Sequence, residues 1–362
     1  MLLTHETKLT ASAFSNSWSG LAPEQELVLL VPEGLEGACA GIGRRDERVY
    51  LSPWLPGTIV GRKNKKNSEL PSLLLDPPLW SFGSFVKVAA LGEGGLSDFQ
   101  AVERSVAKLV DQLGIAGSRY WLRTVGEDTA LTAEVRKRLL NSECLGLLND
   151  PSDYSVTMVL IPDGTRAYVL LGPSISIRER FNYRRRDVGA SINPVLAACT
   201  VRLVPKDLSG VTIDPTCGSG TLLIERVRYA ESKKGIGIDV SRVAQQAFSE
   251  NLAHADLSAD MEFRLSSASE RKAWDQCSVV VANLPFGIRV KQDPRELQTL
   301  YRDIAANAAE NLCGGGRLLL MSSYKSGLEG ALAGTAKIRV LSRYRSLMGG
   351  LYYQIYVAGL EP

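Results

Sequence analysis

IDPTCGSGTLLIE, Ile213 to Glu225, passes from apolar residues to an acidic one, then through a turn carrying two glycines, then into a helical pattern. The order strand, acid, glycine turn, helix is that of an α/β ligand site. Gly218 and Gly220 let the backbone approach a ligand closely, and the helix start that follows presents unpaired N–H groups. A dinucleotide fingerprint needs a third glycine three residues after Gly220, where this chain has Leu223, so the turn fits a ligand without a pyrophosphate. Asp214, at the strand tip, repels phosphate and suits the ammonium of an amino-acid moiety. Thr216, Cys217 and Ser219 complete the turn.

Outward from this stretch, short apolar runs alternate with amphipathic ones. Strands are expected at VTID from Val211, GIGID from Gly235, MEFRL from Met261, SVVVA from Ser278 and GGGRLLLMSS from Gly314. Helices are expected through LLIERVRYA, near Arg242 to His254 and over Arg295 to Asn311. KIRVLSRYR and LYYQIYVAG follow as two more strands, and the short Leu347-Met348-Gly349-Gly350 link makes them an antiparallel hairpin. Strand–helix alternation of this kind predicts a mostly parallel sheet covered on both faces. Before residue 190 the pattern is α+β, with strands ELVLLV, SFVKVAAL, YWLRTV, YSVTMVLI and AYVLLG and helices near Asp98 to Leu113 and Thr132 to Leu140. A junction is expected at 175–190.

Asp239 ends the second strand of the alternating region, with Val240 next to it, and an acid there accepts hydrogen bonds from the two hydroxyls of a ribose. An ammonium-binding Asp214 and a ribose-binding Asp239 together specify an amino-acid nucleoside, S-adenosylmethionine. The fourth strand ends in Asn283-Leu284-Pro285-Phe286. At the carboxyl edge of the sheet, the Asn283 carboxamide oxygen and the Leu284 carbonyl form a pair of acceptors for one exocyclic amine. They hold the lone pair toward an activated methyl. Asn283 orients and does not take the proton, because an amide is not basic near neutral pH. Pro285 stiffens the loop and Phe286 supplies a ring for a flipped base.

These residues resemble the THUMP-domain RNA methyltransferases, which methylate the N2 amine of guanosine. The resemblance is carried by D-P-T-C-G-S-G-T-L-L-I-E, by G-I-D at Gly237 to Asp239, by E-N-L at Glu250 to Leu252, by N-L-P-F-G-I-R at Asn283 to Arg289, and by Y-R-R-R with S-I-N-P-V-L-A-A at Tyr183 to Ala198. Weaker likeness covers VPEGLEGACA at Val31 to Ala40 and NDPSDYSVTMVLI from Asn149. A loose N-terminus is expected over 1–20, and the resemblance implies a ferredoxin-like domain over 21–95, a degenerate THUMP-like RNA-binding domain over 96–175, and a Rossmann-like seven-stranded methyltransferase domain, last strand antiparallel, over 176–362. It also implies S-adenosylmethionine as cofactor and RNA, tRNA above all, as partner, docked by the N-terminal half. The family has an aspartate for the adenine amine after the third strand, whereas this chain has LSSAS, leaving Ser267 and Ala268 in that role.

The other signals narrow the field. The six cysteines are scattered with no C-x-x-C pair, and only His5 and His254 represent histidine, so a disulfide framework, a metal site and imidazole chemistry are all disfavoured. No apolar run approaches the ~18 residues of a membrane span and the start lacks a secretory pattern, which predicts a cytoplasmic protein. Net charge is a mild +3, so RNA contact must come from local patches. GRKNKKN at Gly61 to Asn67 reads as a solvated loop. In IRERFNYRRRD, Arg180, Tyr183, Arg184, Arg185 and Arg186 suit phosphate contact and stacking, and Arg289 adds a cation beyond Phe286. An interdomain linker tied up in ion pairs fits the same run equally. LLDPPLWSF at Leu74 to Phe82 is read as a turn. Two further functions stay open: a catalytically silent RNA-binding protein on this fold, and amino-methylation of ribosomal RNA, DNA adenine or a protein glutamine.

Overall fold

The computed structural model describes residues 26–40, 49–53, 55, 58–63, 83–174, 181–189, 191–285, 293–323, 327–348 and 351–360. The 1–20 terminus, the Leu74–Phe82 turn, and Arg180, Phe286 and Arg289 lie outside them. The chain divides into two compact units, residues 1–30 with 40–176, and residues 31–39 with 177–362.

The first unit starts with β1 (Leu27–Leu30), after which the one-turn helix α1 (Glu36–Ala40) falls mostly in the second unit. It continues through β2 (Val49–Pro53), β3 (Thr58–Lys63), β4 (Gly83–Gly92), α2 (Phe99–Gln112), β5 (Arg119–Thr124), α3 (Ala130–Leu140), β6 (Leu148–Asn149), β7 (Val156–Asp163) and β8 (Arg166–Pro173). Its strands form one sheet in the order β2-β3-β1-β4-β8-β7-β5-β6, so segments 21–95 and 96–175 share a sheet through the antiparallel β4–β8 pair. Helix α2 buries Phe99, Val102, Val106, Leu109 and Val110, a single stripe at helical spacing. Helix α3 begins at a capping box in which the Thr129 hydroxyl accepts from the Thr132 N–H at 3.1 Å. β2 and β3 were not anticipated: prolines and glycines break their runs, and Arg62 and Lys63 of the basic stretch close β3.

In the second unit, α4 (Pro194–Thr200) leads into β9 (Val211–Asp214), α5 (Thr221–Ala230), β10 (Lys234–Asp239), α6 (Arg242–Leu252), β11 (Asp260–Leu265), β12 (Cys277–Asn283), α7 (Pro294–Asn311), β13 (Leu312–Ser323), α8 (Leu328–Ala333), β14 (Ile338–Met348) and β15 (Leu351–Leu360). The sheet order is β11-β10-β9-β12-β13-β15-β14, parallel except for β15, which runs against both neighbours. Only two residues separate β14 from β15, too few for the crossover that a parallel pair needs. Val279, Val280, Val281 and Ala282 are all fully buried, which is what a sheet covered on both faces requires. One face packs Ile213, Ile238, Val280 and Leu320 against Tyr301, Ile304 and Ala308 of α7. Helix α8 falls outside the expected elements, because Gly330 within it and Gly327 and Gly334 at its ends mask a short apolar stripe.

Connections from β9 and β12 leave in opposite directions along the sheet, so a crevice opens between their carboxyl ends. The second unit also takes in residues 31–39. Leu35 and Cys39 are fully buried, and Glu33 bridges to Leu347 of β14. Gly34 sits at φ +88°, and a Cβ there would lie 1.8 Å from the Arg345 carbonyl oxygen. Gly34→Ala must therefore displace this segment as well as strain its backbone, a loss of about 2 kcal/mol or more. Calorimetry should show the melting temperature falling by roughly 4–8 °C, and an unchanged value would mean that the segment is not packed this way.

Candidate active site

The glycine turn after β9 is held from three sides. The Cys217 N–H donates to the Ile238 carbonyl (3.1 Å), the Gly220 N–H to the Cys217 carbonyl (2.8 Å), and the Gly218 N–H to Asp239 Oδ2 (3.0 Å). Gly218 and Gly220 have φ of +52° and +83°, conformations that side chains rarely adopt. A Cβ on Gly220 would also meet the Phe248 ring at 2.6 Å. Cys217 is a spacer under the turn, its thiol pushed well up by burial, and a Cβ on Gly237 would strike its sulfur at 2.7 Å. Ser219 is buried and its hydroxyl is shared with Ser191 (2.9 Å) and Thr221 (3.3 Å), so it fastens the turn from behind.

Asp214 and Asp239 both reach the carboxyl edge. Asp214 is 1% exposed, accepts the Thr216 N–H at 3.1 Å, and pairs with no cation among the described residues. Burial pushes its carboxyl up to about 8, the Thr216 N–H pulls the other way, and the charge of Asp239 adds to the rise. Asp239 accepts from Gly218 with one oxygen and from the Ser241 N–H (2.9 Å) with the other, and each oxygen keeps a lone pair. Val240 is 73% exposed and Leu265, paired with Asp239 at the end of β11, 39%. A buried carboxylate without a cation, a second carboxylate with spare acceptors and exposed apolar groups at one edge fit a ligand carrying an ammonium, a diol and a flat ring. S-adenosylmethionine has all three. Ser267 accepts the Ser269 N–H at 3.2 Å, and the adjacent Ala268 carbonyl takes hydrogen bonds from Trp274 Nε1 and Asn307 Nδ2, both 2.9 Å, which fixes that turn.

Asn283 closes β12 at the same edge. It is half-buried with Oδ1 shielded from water, and its main-chain carbonyl lies 3.5 Å from the Thr216 hydroxyl, which places it beside the glycine turn. The next two residues are pinned: the Leu284 N–H donates to the Met321 carbonyl (2.9 Å) and the Tyr301 hydroxyl to the Pro285 carbonyl (2.5 Å). The Leu284 side chain is core, so only its backbone can meet a ligand.

The arginine run behaves differently from a free basic patch. Tyr183 is fully buried and donates its hydroxyl to Glu225 (2.8 Å), a position that leaves its ring no face for a base. Arg184 pairs with Asp187 at 2.6 Å and Arg186 with Glu250 at 2.9 Å. Arg185 is exposed, so its guanidinium faces solvent. The run of arginines with Phe181 and Tyr183 carries no sign of Glu225. Nor did it show Asn251, whose carboxamide accepts the Arg185 and Arg186 N–H groups at 2.8 and 2.9 Å.

With this geometry in view, residues 181–354 match the model of the UPF0020, RMKL-like, methyltransferase domain. A tRNA (guanine(10)-N2)-dimethyltransferase of Methanothermobacter thermautotrophicus is 27% identical over 66% of this chain and 68% of its own. A tRNA (guanine(6)-N2)-methyltransferase of Methanocaldococcus jannaschii is 22% identical over 49% of this chain and 56% of its own. The crystal structure of TrmN from Thermus thermophilus aligns with 93% of this chain and all of that one, at a TM-score of 0.73 and 21% identity, which establishes the fold across both units. Fold, crevice and family match converge on one conclusion: residues 181–354 form a methyltransferase domain whose cofactor is S-adenosylmethionine.

Proposed function

We propose that this chain methylates the exocyclic N2 amine of a guanosine in RNA, with tRNA as the substrate. The observation that carries the reading is the placement of Asn283 beside Thr216 of the glycine turn, with Leu284 and Pro285 fastened behind it. The two curated relatives support it. They differ in nucleotide position and in the number of methyl groups added, and agree on the atom.

When bound, S-adenosylmethionine supplies an electrophilic methyl group. Asp214 holds the amino-acid end and Asp239 the ribose. The lone pair of a guanine N2 is conjugated into its ring, and Asn283 Oδ1 with the Leu284 carbonyl, by accepting both amine hydrogens, turns that lone pair toward the methyl. No strong base is required, because the methylated amine is acidic enough to release its proton to water. Phe286 is assigned to stacking of the base and Ser267 with Ala268 to the adenine. Arg185, Arg180 and Arg289 are assigned to phosphates, and the N-terminal unit, with a THUMP-like segment at 96–175, to docking of the RNA.

The direct test incubates the purified protein and cofactor with transcribed tRNA and follows with nucleoside mass spectrometry. N2-methylguanosine is the expected product. Methylation confined to ribosomal RNA, DNA adenine or a glutamine peptide would redirect the reading, and no product with any of them would leave a silent RNA-binding protein. Asn283→Ala should cut turnover by about 100-fold or more with cofactor affinity within about threefold, since it removes an orienting acceptor. Asp239→Ala should weaken cofactor binding by about 30-fold in calorimetry, for the loss of charged hydrogen bonds. Equal losses of cofactor affinity in the two would contradict the roles.

Asp214 gives a pH test. Its folded-state carboxyl lies near 8 and its unfolded one near the ordinary 3.8, so the folded protein binds the extra proton between these values and stability falls as pH rises through that window. Asp214→Asn removes the effect. Its melting temperature should exceed that of the parent by more at pH 8 than at pH 5, while its cofactor affinity drops and loses the rise toward pH 8 expected of the parent. Finally, Arg185→Ala should lower the slope of log affinity for RNA against log salt by about one unit, and the ion-paired Arg184 and Arg186 should change it less.

A further inference from the structure

Asn251 lies in the last turn of α6, fully buried, in a helical position where asparagine is a poor helix former. Its amide uses every hydrogen-bonding position it has. Oδ1 accepts the Arg185 and Arg186 N–H groups at 2.8 and 2.9 Å, and Nδ2 donates to the Arg186 and Ser219 carbonyls, both at 2.9 Å. A buried carboxamide satisfied four ways is rigid, and removing any partner leaves a buried polar group unmet.

The two things it joins are the pieces of chain that meet different ligands. Ser219 is in the middle of the glycine turn, between the residue whose N–H aims Asp239 and the residue that starts α5. Arg185 carries the exposed guanidinium of the arginine run. The same run is tied down at both ends, by Tyr183 to Glu225 and by Ser191 to Ser219, so the Asn251 clasp sits at its midpoint. The Val188 side chain packs close to Gly218, where an added Cβ would meet it at 3.2 Å.

We propose that Asn251 is a positioning residue that locks the glycine turn to the 185–186 backbone, so that cofactor affinity and the pose of Arg185 are set by one side chain. The cofactor arm stands on the geometry alone, and the Arg185 arm rests on the RNA-methyltransferase reading. Asn251→Asp loads the two arms unequally, since the 185–186 backbone keeps two of its three hydrogen bonds to this side chain and Ser219 loses its only one. Its carboxylate still accepts the Arg185 and Arg186 N–H groups but faces the Ser219 and Arg186 carbonyls with no donor.

Calorimetry with S-adenosylmethionine at pH 8 should then show about tenfold weaker binding, while KM for tRNA stays within about threefold. Asn251→Ala should raise both. At pH 5.5 the variant-to-parent ratio should narrow, because a protonated acid donates to one of the two carbonyls. Asp214 and Asp239 are common to both proteins, and Glu250 and Arg186 beside the site are paired with each other. A structural defect alone gives no such recovery.

A measurement on the unaltered protein covers variants that fail to fold. Adding S-adenosylhomocysteine should slow hydrogen exchange at the Arg185 and Arg186 amides by about fivefold or more. Cofactor binding within about twofold of the parent in Asn251→Asp, or unchanged exchange at those amides, overturns the proposal. If no RNA is methylated, the reading of the reaction fails, yet cofactor affinity and exchange still decide the role of Asn251.

Discussion

A carboxylate taken out of water at the tip of β9 constrains everything around it. Asp214 has one backbone N–H for company and the negative charge of Asp239 nearby, and its carboxyl rises to about 8. Such a group costs stability unless a cation reaches it. A protein would not keep it for folding, since an asparagine in the same place would be less costly. The parallel sheet makes the burial unavoidable: strands covered on both faces deliver their last residues into a sheltered edge. A positively charged ligand end at this position would recover that cost.

The chemistry of the edge is one of orientation. The glycine turn is tied to β10 through the Ile238 carbonyl and the Asp239 carboxylate, and the Leu284–Pro285 backbone to the Met321 carbonyl of β13 and the Tyr301 hydroxyl of α7, so the backbone of this edge is held in place. Rigid placement is what a methyl transfer to a weak nucleophile needs, because the reacting atoms must be aligned within a narrow range. Among the described residues the one histidine, His254, has its ring against the Glu250 carbonyl.

Much of this was legible in the sequence, for identifiable reasons. The strands of the C-terminal sheet are short apolar runs that stop at a polar residue, so Asp214, Asp239 and Asn283 could be read as strand ends without coordinates. The β14–β15 hairpin followed from a link too short for anything else. What was hidden depends on partners distant in the chain. Tyr183 among arginines reads the same whether it faces RNA or Glu225, 42 residues away, and only packing decides. Glycines disguised α8, and β2 with β3 were obscured by the prolines around them. Asn251 was visible as part of E-N-L, but four hydrogen bonds to two other segments leave no trace in local periodicity.

The excursion of residues 31–39 bears on how this chain is made. Gly34 fits against Arg345, about 300 residues later, so its partner does not exist for most of synthesis. At a translation rate of ~5–20 residues per second, Gly34 waits on the order of 15–60 s for that partner. The C-terminal sheet can close only when the final hairpin leaves the ribosome, and until then Gly34 lacks the strand it fits against.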